Sequence, residues 1–220
     1  MSTLLVLGGS GRTGIHVLKQ AVERGHQVRA LVRNPAAIDA PTGVELITGT
    51  PAAVDDIRRA AEGTEAVISV LSNARASDNP WAKPISPPRF MTDAIGSALT
   101  VMEEQGIRRI VAVSTQGVAE DWKRINPIMR GLISVSNIKA GFDDHDGVDA
   151  SVRQSDVDWT LVRAVALTDK PAKGPIRVAE RGAEKPAAFV NRDDLAAFLL
   201  DTVEKNTWIR QTPLVWNARR

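Results

Sequence analysis

The sequence predicts an α/β fold: a doubly wound parallel sheet with helices on both faces and a small C-terminal appendage. Two observations carry this. Apolar runs of four to six residues recur with helical stretches between them, the pattern of strands buried on both faces and joined by crossover helices. The first run passes through a glycine-rich loop into an amphipathic stretch, so the chain opens on a strand–turn–helix–strand unit. At 220 residues, 43% hydrophobic and 25% charged, one large core is affordable, and residues 1–220 are expected to form a single domain.

Thr3–Leu7 is the first strand and stops at Gly8. Ile15, Leu18 and Val22 then fall at i, i+3 and i+7, a helix whose apolar face covers the sheet before Gly25 ends it. Gln27–Val32 and Val44–Thr48 are the second and third strands, followed by a helix over Pro51–Glu62 and a fourth strand at Ala66–Val70. Residues Asn73–Arg89 hold Pro80, Pro84, Pro87 and Pro88 around Trp81, too much proline for a regular element, so a long loop leaves the fourth strand. A helix over Met91–Gln105 leads to the fifth strand, Arg109–Val113.

Asp121–Lys139 is an insertion in which Ile125, Ile128, Met129, Leu132 and Ile133 keep helical spacing. It reads as a cover over a pocket, a dimer contact or core; monomer and homodimer both stay open. Phe142–Gln154 is the next helix and Trp159–Val162 the sixth strand. Beyond them lie a short strand at Ile176–Val178, Phe189-Val190, and a helix capped by Asn191. That helix has Asp193 and Asp194 in its first turn and Leu195, Phe198 and Leu199 on its apolar face. A last strand at Leu214–Trp216 closes the chain.

Composition removes several classes of function. Lys plus Arg total 28 against 26 Asp plus Glu, a net +2, so a nucleic-acid partner is not expected. The absence of cysteine excludes disulfides, thiolate catalysis and cysteine-held metals, and a cytoplasmic location is expected. Met1–Leu7 lacks a basic flank and is too short for a signal peptide. No stretch approaches about 18 apolar residues, so no membrane partner is expected. His16, His26 and His145 are scattered and no metal site is expected. There is no G-x-S-x-G elbow and no tyrosine at all.

Gly8-Gly9-Ser10-Gly11-Arg12-Thr13-Gly14 satisfies both G-x-G-x-x-G, from Gly9, Gly11 and Gly14, and G-x-x-G-x-x-G, from Gly8, Gly11 and Gly14. Between a strand and a helix, glycines allow the tight turn and close approach to a pyrophosphate, which the helix N-terminus attracts. A site for NAD would place a carboxylate at the end of the second strand. Here Arg29–Asn34 has none, and the next acid is Asp39. Arg33, unless it is only a solvated strand-end charge, fits a 2′-phosphate, and Arg12 can approach the same dianion. The expected cofactor is therefore NADP(H).

Taken together, these residues resemble the atypical, short members of the extended short-chain dehydrogenase/reductase superfamily, NmrA-like, and within them the biliverdin-IXβ reductase/flavin reductase type. The resemblance runs through LLVLGGSGRTG at Leu4–Gly14, RALVRNP at Arg29–Pro35, EAVISVLS at Glu65–Ser72 and RRIVAVST at Arg108–Thr115. It continues in DDH at Asp143–His145, VDWTLVRA at Val157–Ala164 and FVNRDDLAAFLL at Phe189–Leu200. It implies a Rossmann-like fold in which Gly8, Gly11, Arg12, Thr13 and Gly14, with Gly9 and Ser10 between them, meet the diphosphate. Arg33 would meet the 2′-phosphate, and Leu71 and Ser72 the adenosine ribose side. Thr115, with Ser114 beside it, stands where the superfamily keeps its active-site Ser/Thr. Many members carry a GDV-like segment whose Asp meets adenine; Gly49-Thr50-Pro51 stands there instead, leaving Thr50 as the candidate.

Alcohol-oxidising members of the superfamily use Tyr-x-x-x-Lys. Aligned on the helix before the sixth strand, this sequence has Gly141 at the Tyr position and His145 at the Lys position. The resemblance implies His145 near the nicotinamide ribose; its other reading is a helix residue among the capping acids Asp143, Asp144 and Asp146. Reduction of a simple ketone needs an acid at the carbonyl oxygen, and Thr115 is a poor one. A delocalised, planar acceptor such as a flavin, a quinone or a conjugated tetrapyrrole takes hydride first and a solvent proton later. An NADPH-dependent reductase of such an acceptor is therefore expected, with Trp81 or Trp122 as candidate walls. The rival expectation is an NADP(H)-binding regulator without turnover.

Overall fold

The computed structural model describes residues 1–172, 174–180 and 183–218. The strands are β1 (Thr3–Leu7), β2 (Gln27–Val32), β3 (Val44–Thr48), β4 (Ala66–Ser69), β5 (Arg109–Thr115), β6 (Asp158–Ala164), β7 (Ala166–Thr168), β8 (Ile176–Ala179), β9 (Phe189–Asn191) and β10 (Leu214–Asn217). The helices are α1 (Arg12–Glu23), α2 (Val54–Ala61), α3 (Phe90–Gln105), α4 (Pro127–Val135), α5 (Ile138–Gln154) and α6 (Arg192–Glu204). One sheet runs β3-β2-β1-β4-β5-β6-β10-β8, parallel throughout except for the antiparallel pair of β10 and β8. The α/β, Rossmann-like expectation is met.

Alternation along β1 shows why the sheet needs helices on both sides. Leu4 and Val6 face α1 and α6, whereas Leu5 and Leu7 face α2, α3 and α5. All four are fully buried, each contributing about 2 kcal/mol of hydrophobic stabilisation. The chain leaves β1 towards β2 on one side and β4 lies on the other. The carboxyl edge between them is the switch point at which open α/β sheets bind ligands.

Several bounds move. β4 ends one residue early, although the Val70 amide still donates to the Leu7 carbonyl at 2.9 Å. β5 and β6 run longer than expected because they pair with each other as far as Thr115 opposite Ala164. α2 starts at Val54 because residues 50–53 form a turn closed by the Ala53 amide on the Thr50 carbonyl, 3.0 Å. α5 starts four residues earlier than expected, at Ile138.

The insertion after β5 is a 3-10 turn over Ala119–Arg124 followed by α4, whose Asn126 cap accepts from the Ile128 amide at 2.9 Å. Only Ile133 of α4 is buried, while Ile128 and Met129 are exposed, so α4 is not core. Most of the expected C-terminal appendage joins the main structure: β10 and β8 extend the sheet, and α6 packs on α1. Arg24 joins those helices through Asp201 at 2.8 Å and Glu204 at 3.1 Å. Among the described residues, β7 and β9 form a separate two-stranded pair. No helix among the described residues is long and apolar enough to cross a membrane.

Candidate functional site

The glycine loop leaves no room for side chains. Gly8 sits at φ +85°, and a Cβ there would lie 2.9 Å from the Val70 carbonyl at the end of β4. A Cβ on Gly14 would meet the Gly8 carbonyl oxygen at 2.2 Å and Gly9 Cα at 2.6 Å, because α1 starts directly against the loop. The Gly11 amide closes the turn on the Gly8 carbonyl at 3.0 Å. Gly11 then caps α1 with no side-chain acceptor, and no acid occupies the first turn. The positive end of a 12-residue helix thus meets no protein side-chain acceptor, while Ser10, Gly11 and Arg12 are exposed and Thr13 is buried. A cradle closed to side chains and open to an anion fits a pyrophosphate.

Around this loop the predicted binding residues occupy the carboxyl edge. Arg33 follows β2, is exposed and pairs with no carboxylate among the described residues. Arg12 is already engaged: its guanidinium donates to both carboxylate oxygens of Asp78, at 3.1 and 3.4 Å. That partner comes from the proline-rich loop, which therefore reaches back over the start of α1. The Thr50 amide donates to Asp56 at 2.8 Å, and this bond, with Arg59, holds the Asp56 carboxyl below its ordinary range. Asp56 is thus more than a helix-start charge, since it ties down the turn after β3. Leu71 is half-buried against the α2–α3 side and Ser72 is exposed.

Ser114 and Thr115 lie on opposite faces of β5 by strand alternation. Thr115 is half-buried, and its hydroxyl donates to the Gln116 carbonyl at 3.4 Å. Ser114 is buried and accepts from Arg163 Nη1 at 2.9 Å. Arg163, on β6, is fully buried; it donates through Nη2 to Asp149 of α5 and lies 3.9 Å from Asp121. Burial pushes the Arg163 guanidinium below its ordinary range, against the pull of the two acids. Desolvation raises the Asp121 carboxyl, and Arg163 only partly opposes it. Arg153 extends this charged cluster to Asp149 at 2.5 Å and Glu120 at 3.0 Å.

His145 sits beside this cluster, half-buried, with Nδ1 sealed from solvent and without a hydrogen-bond partner among the described residues. Burial first, and the Arg163 charge second, press its pKa down to about 4. The imidazole is therefore neutral near pH 7 and supplies none of the positive charge that a lysine would bring. The neighbouring acids have separate tasks. Asp144 is buried and accepts from the amides of Met91 at 2.9 Å and Thr92 at 2.8 Å, from the Thr92 hydroxyl at 2.7 Å and from Asn73 at 3.3 Å. It caps α3 rather than its own helix. Asp143 pairs with Lys139, and Asp146 accepts from the Ala119 amide at 2.5 Å. A Cβ on Gly141 would have Asn73 as its nearest neighbour, at 3.9 Å, so the start of α5 faces the loop leaving β4.

Contacts thus run from the glycine loop to Val70, and from Asn73 to Asp144 and the start of α5. Arg163, Asp149, Asp121 and Asp78 were missed as site residues by sequence reasoning. For Arg163 a signal existed: one cation inside the apolar run Trp159–Ala164. Trp122 stacks edge-on against Phe142 at 6.2 Å, a packing contact, whereas Trp81 is exposed.

Known proteins share the fold that carries these residues. The chain is 25% identical over 225 residues to a photosystem II assembly factor, Ycf39, of Synechocystis, an alignment covering 98% of the chain and 63% of that relative. The chain therefore spans less than two thirds of that curated relative's length. Among solved structures it superposes on ChuY, an anaerobilin reductase from Escherichia coli O157:H7, with a TM-score of 0.80 at 18% identity, covering 98% of this chain and 97% of that one. It superposes on a short-chain dehydrogenase/reductase from Veillonella parvula in complex with NADP with a TM-score of 0.77 at 16% identity, covering 98% and 94%. At such identities these two show the fold. The family described as NAD(P)H-binding matches residues 8–206, from the first cradle glycine to just past α6. The chain belongs to that NAD(P)H-binding family.

Proposed function

We propose that the protein is an NADPH-dependent reductase of a delocalised, planar acceptor, with flavins and quinones first, acting in the cytoplasm. The observation that carries this reading is a site without a strong acid. The chain has no tyrosine, Gly141 stands where one would be, and His145 is held neutral. Bound NADPH would supply the hydride. The protein's part is then to hold and orient both molecules, which suits an acceptor that needs no protonation in step with its reduction.

The cradle from Gly8 to Gly14 would hold the diphosphate through backbone amides, and Arg33 would grip the 2′-phosphate. Arg12 would join it on release from Asp78. Thr50, Leu71 and Ser72 would border the adenosine half. Ser114, anchored by Arg163, and Thr115 would orient the reacting end beside His145. Support comes also from the fold neighbour named an anaerobilin reductase. The test is oxidation of NADPH with riboflavin phosphate or small quinones, followed by the loss of reduced-coenzyme absorbance. Steady turnover is expected, and none across a broad panel of planar acceptors would refute the reading.

A second reading is favoured by a different observation, the likeness to a relative named as an assembly factor. In it the protein binds NADP(H) without turnover and reports coenzyme state to a partner. Tight NADPH binding with no turnover, and a partner captured in only one redox state, would select it.

A further inference from the structure

Large exposed apolar side chains are concentrated in one region. Among the described residues, five of the seven lie in two segments: Trp81 and Ile85 in the proline-rich loop, and Ile128, Met129 and Val135 in α4. The segments are tied together where α4 meets α5. The Asn137 amide donates to the Pro80 carbonyl at 3.0 Å and its side chain to the Trp81 carbonyl at 2.9 Å. On α4, Ile128, Leu132 and Val135 recur at i, i+4 and i+7 and form one stripe. Ile128 is 83% and Val135 73% exposed, so the stripe faces solvent.

Residues 79–92 and 122–142 carry Lys83, Arg89, Lys123, Arg124, Arg130 and Lys139 and not one Asp or Glu. Within these two segments every charge is positive, and the flanking acids answer two of them, Asp93 pairing with Arg89 at 3.7 Å and Asp143 with Lys139 at 2.6 Å. Lys83, Lys123 and Arg130 pair with no carboxylate among the described residues. Elsewhere the surface is laced with mixed pairs, as between α1 and α6.

We propose that this face docks peripherally on an anionic lipid bilayer. An apolar stripe flanked by unpaired cations and a tryptophan is the arrangement of a helix lying in a membrane interface, its apolar side among the acyl chains and its cations among the headgroups. A second copy of the chain fits less well, because a two-fold contact would oppose the same unpaired cations to one another. The expectation of no membrane partner rested on the lack of a spanning run, and a surface contact needs none.

The test is sedimentation of the full chain with phosphatidylcholine vesicles, with and without phosphatidylglycerol. Binding is expected to the anionic vesicles only and to fall steeply at about 0.5 M salt. Replacing Lys83, Lys123 and Arg130 together by Gln should weaken partitioning roughly a hundredfold, at about fivefold per charge. Ile128→Glu with Val135→Glu should abolish it. Both variants should bind NADPH as the parent does, which shows that they fold. Failure of the parent chain to sediment with anionic vesicles, or equal sedimentation with neutral ones, would overturn the proposal. So would a micromolar dimer, broken by the Glu pair, in a chain that ignores vesicles. None of these readouts involves turnover, so the proposal and the reductase reading stand or fall separately.

Discussion

Replacing Asp144 by Ala should remove about 4 kcal/mol of stability while leaving no gap in the apolar core. In the structure its buried carboxylate accepts from two α3 amides, the Thr92 hydroxyl and the Asn73 amide, between 2.7 and 3.3 Å. Hydrogen bonds to a charged acceptor are worth about 1.5–3 kcal/mol each, and an N-cap alone about 1. Simple addition overshoots, because the four donors share one anion and Asn73 can turn to water. The two α3 amides and the Thr92 hydroxyl stay buried, and each unpaired donor costs about 1–3 kcal/mol. Against a total of about 5–15 kcal/mol for a domain, the loss is large. Urea unfolding followed by tryptophan fluorescence measures it from the midpoint at unchanged slope. A loss below about 1 kcal/mol would refute the reasoning, by showing that water enters and replaces the carboxylate.

The other predictions concern coenzyme and pH. Gly14→Ala places a methyl group 2.2 Å from the Gly8 carbonyl oxygen, so calorimetry should find NADPH binding abolished while the fold persists at reduced stability. Arg33→Ala removes one charge-assisted phosphate contact and should weaken NADPH binding about 10- to 100-fold with little change for NADH; equal losses for both would place the 2′-phosphate elsewhere. His145 has a folded pKa of about 4 against 6.5 in the open chain, so the unfolded state binds the extra proton between those values. Its contribution is therefore neutral above pH 6.5, and stability is lost as pH falls towards 4, by at most about 3 kcal/mol. His145→Gln should flatten that part of the stability profile measured by urea titration.

The strands and most helices were legible because each rests on local pattern. Strands buried on both faces show as apolar runs, and Ile15, Leu18 and Val22 repeat with the helical period whatever lies elsewhere in the chain. The cradle was legible for a covalent reason: at Gly8 and Gly14 only a residue without Cβ fits between β1, β4 and α1, so the requirement appears as residue identity. Arg33 was legible as a cation where a carboxylate would otherwise stand. The α4 segment was half-legible, since its spacing showed a helix and could not show which side was covered.

What remained was decided by residues distant in sequence. Asp144 reads as one acid among three around His145, and only the approach of α3, more than fifty residues earlier, makes it a cap. Arg163 announces itself as a misplaced charge, yet its hold on Ser114 and Asp149 exists only once β5, β6 and α5 are packed together. The same packing silences His145, because the field and dielectric that set its charge come from neighbours with no fixed spacing to it. Arg12 looked free until the proline-rich loop folded back to bring Asp78 within reach. Periodicity and steric need are written residue by residue and survive in the bare sequence, whereas burial, pairing and the ownership of a surface are properties of the assembled chain.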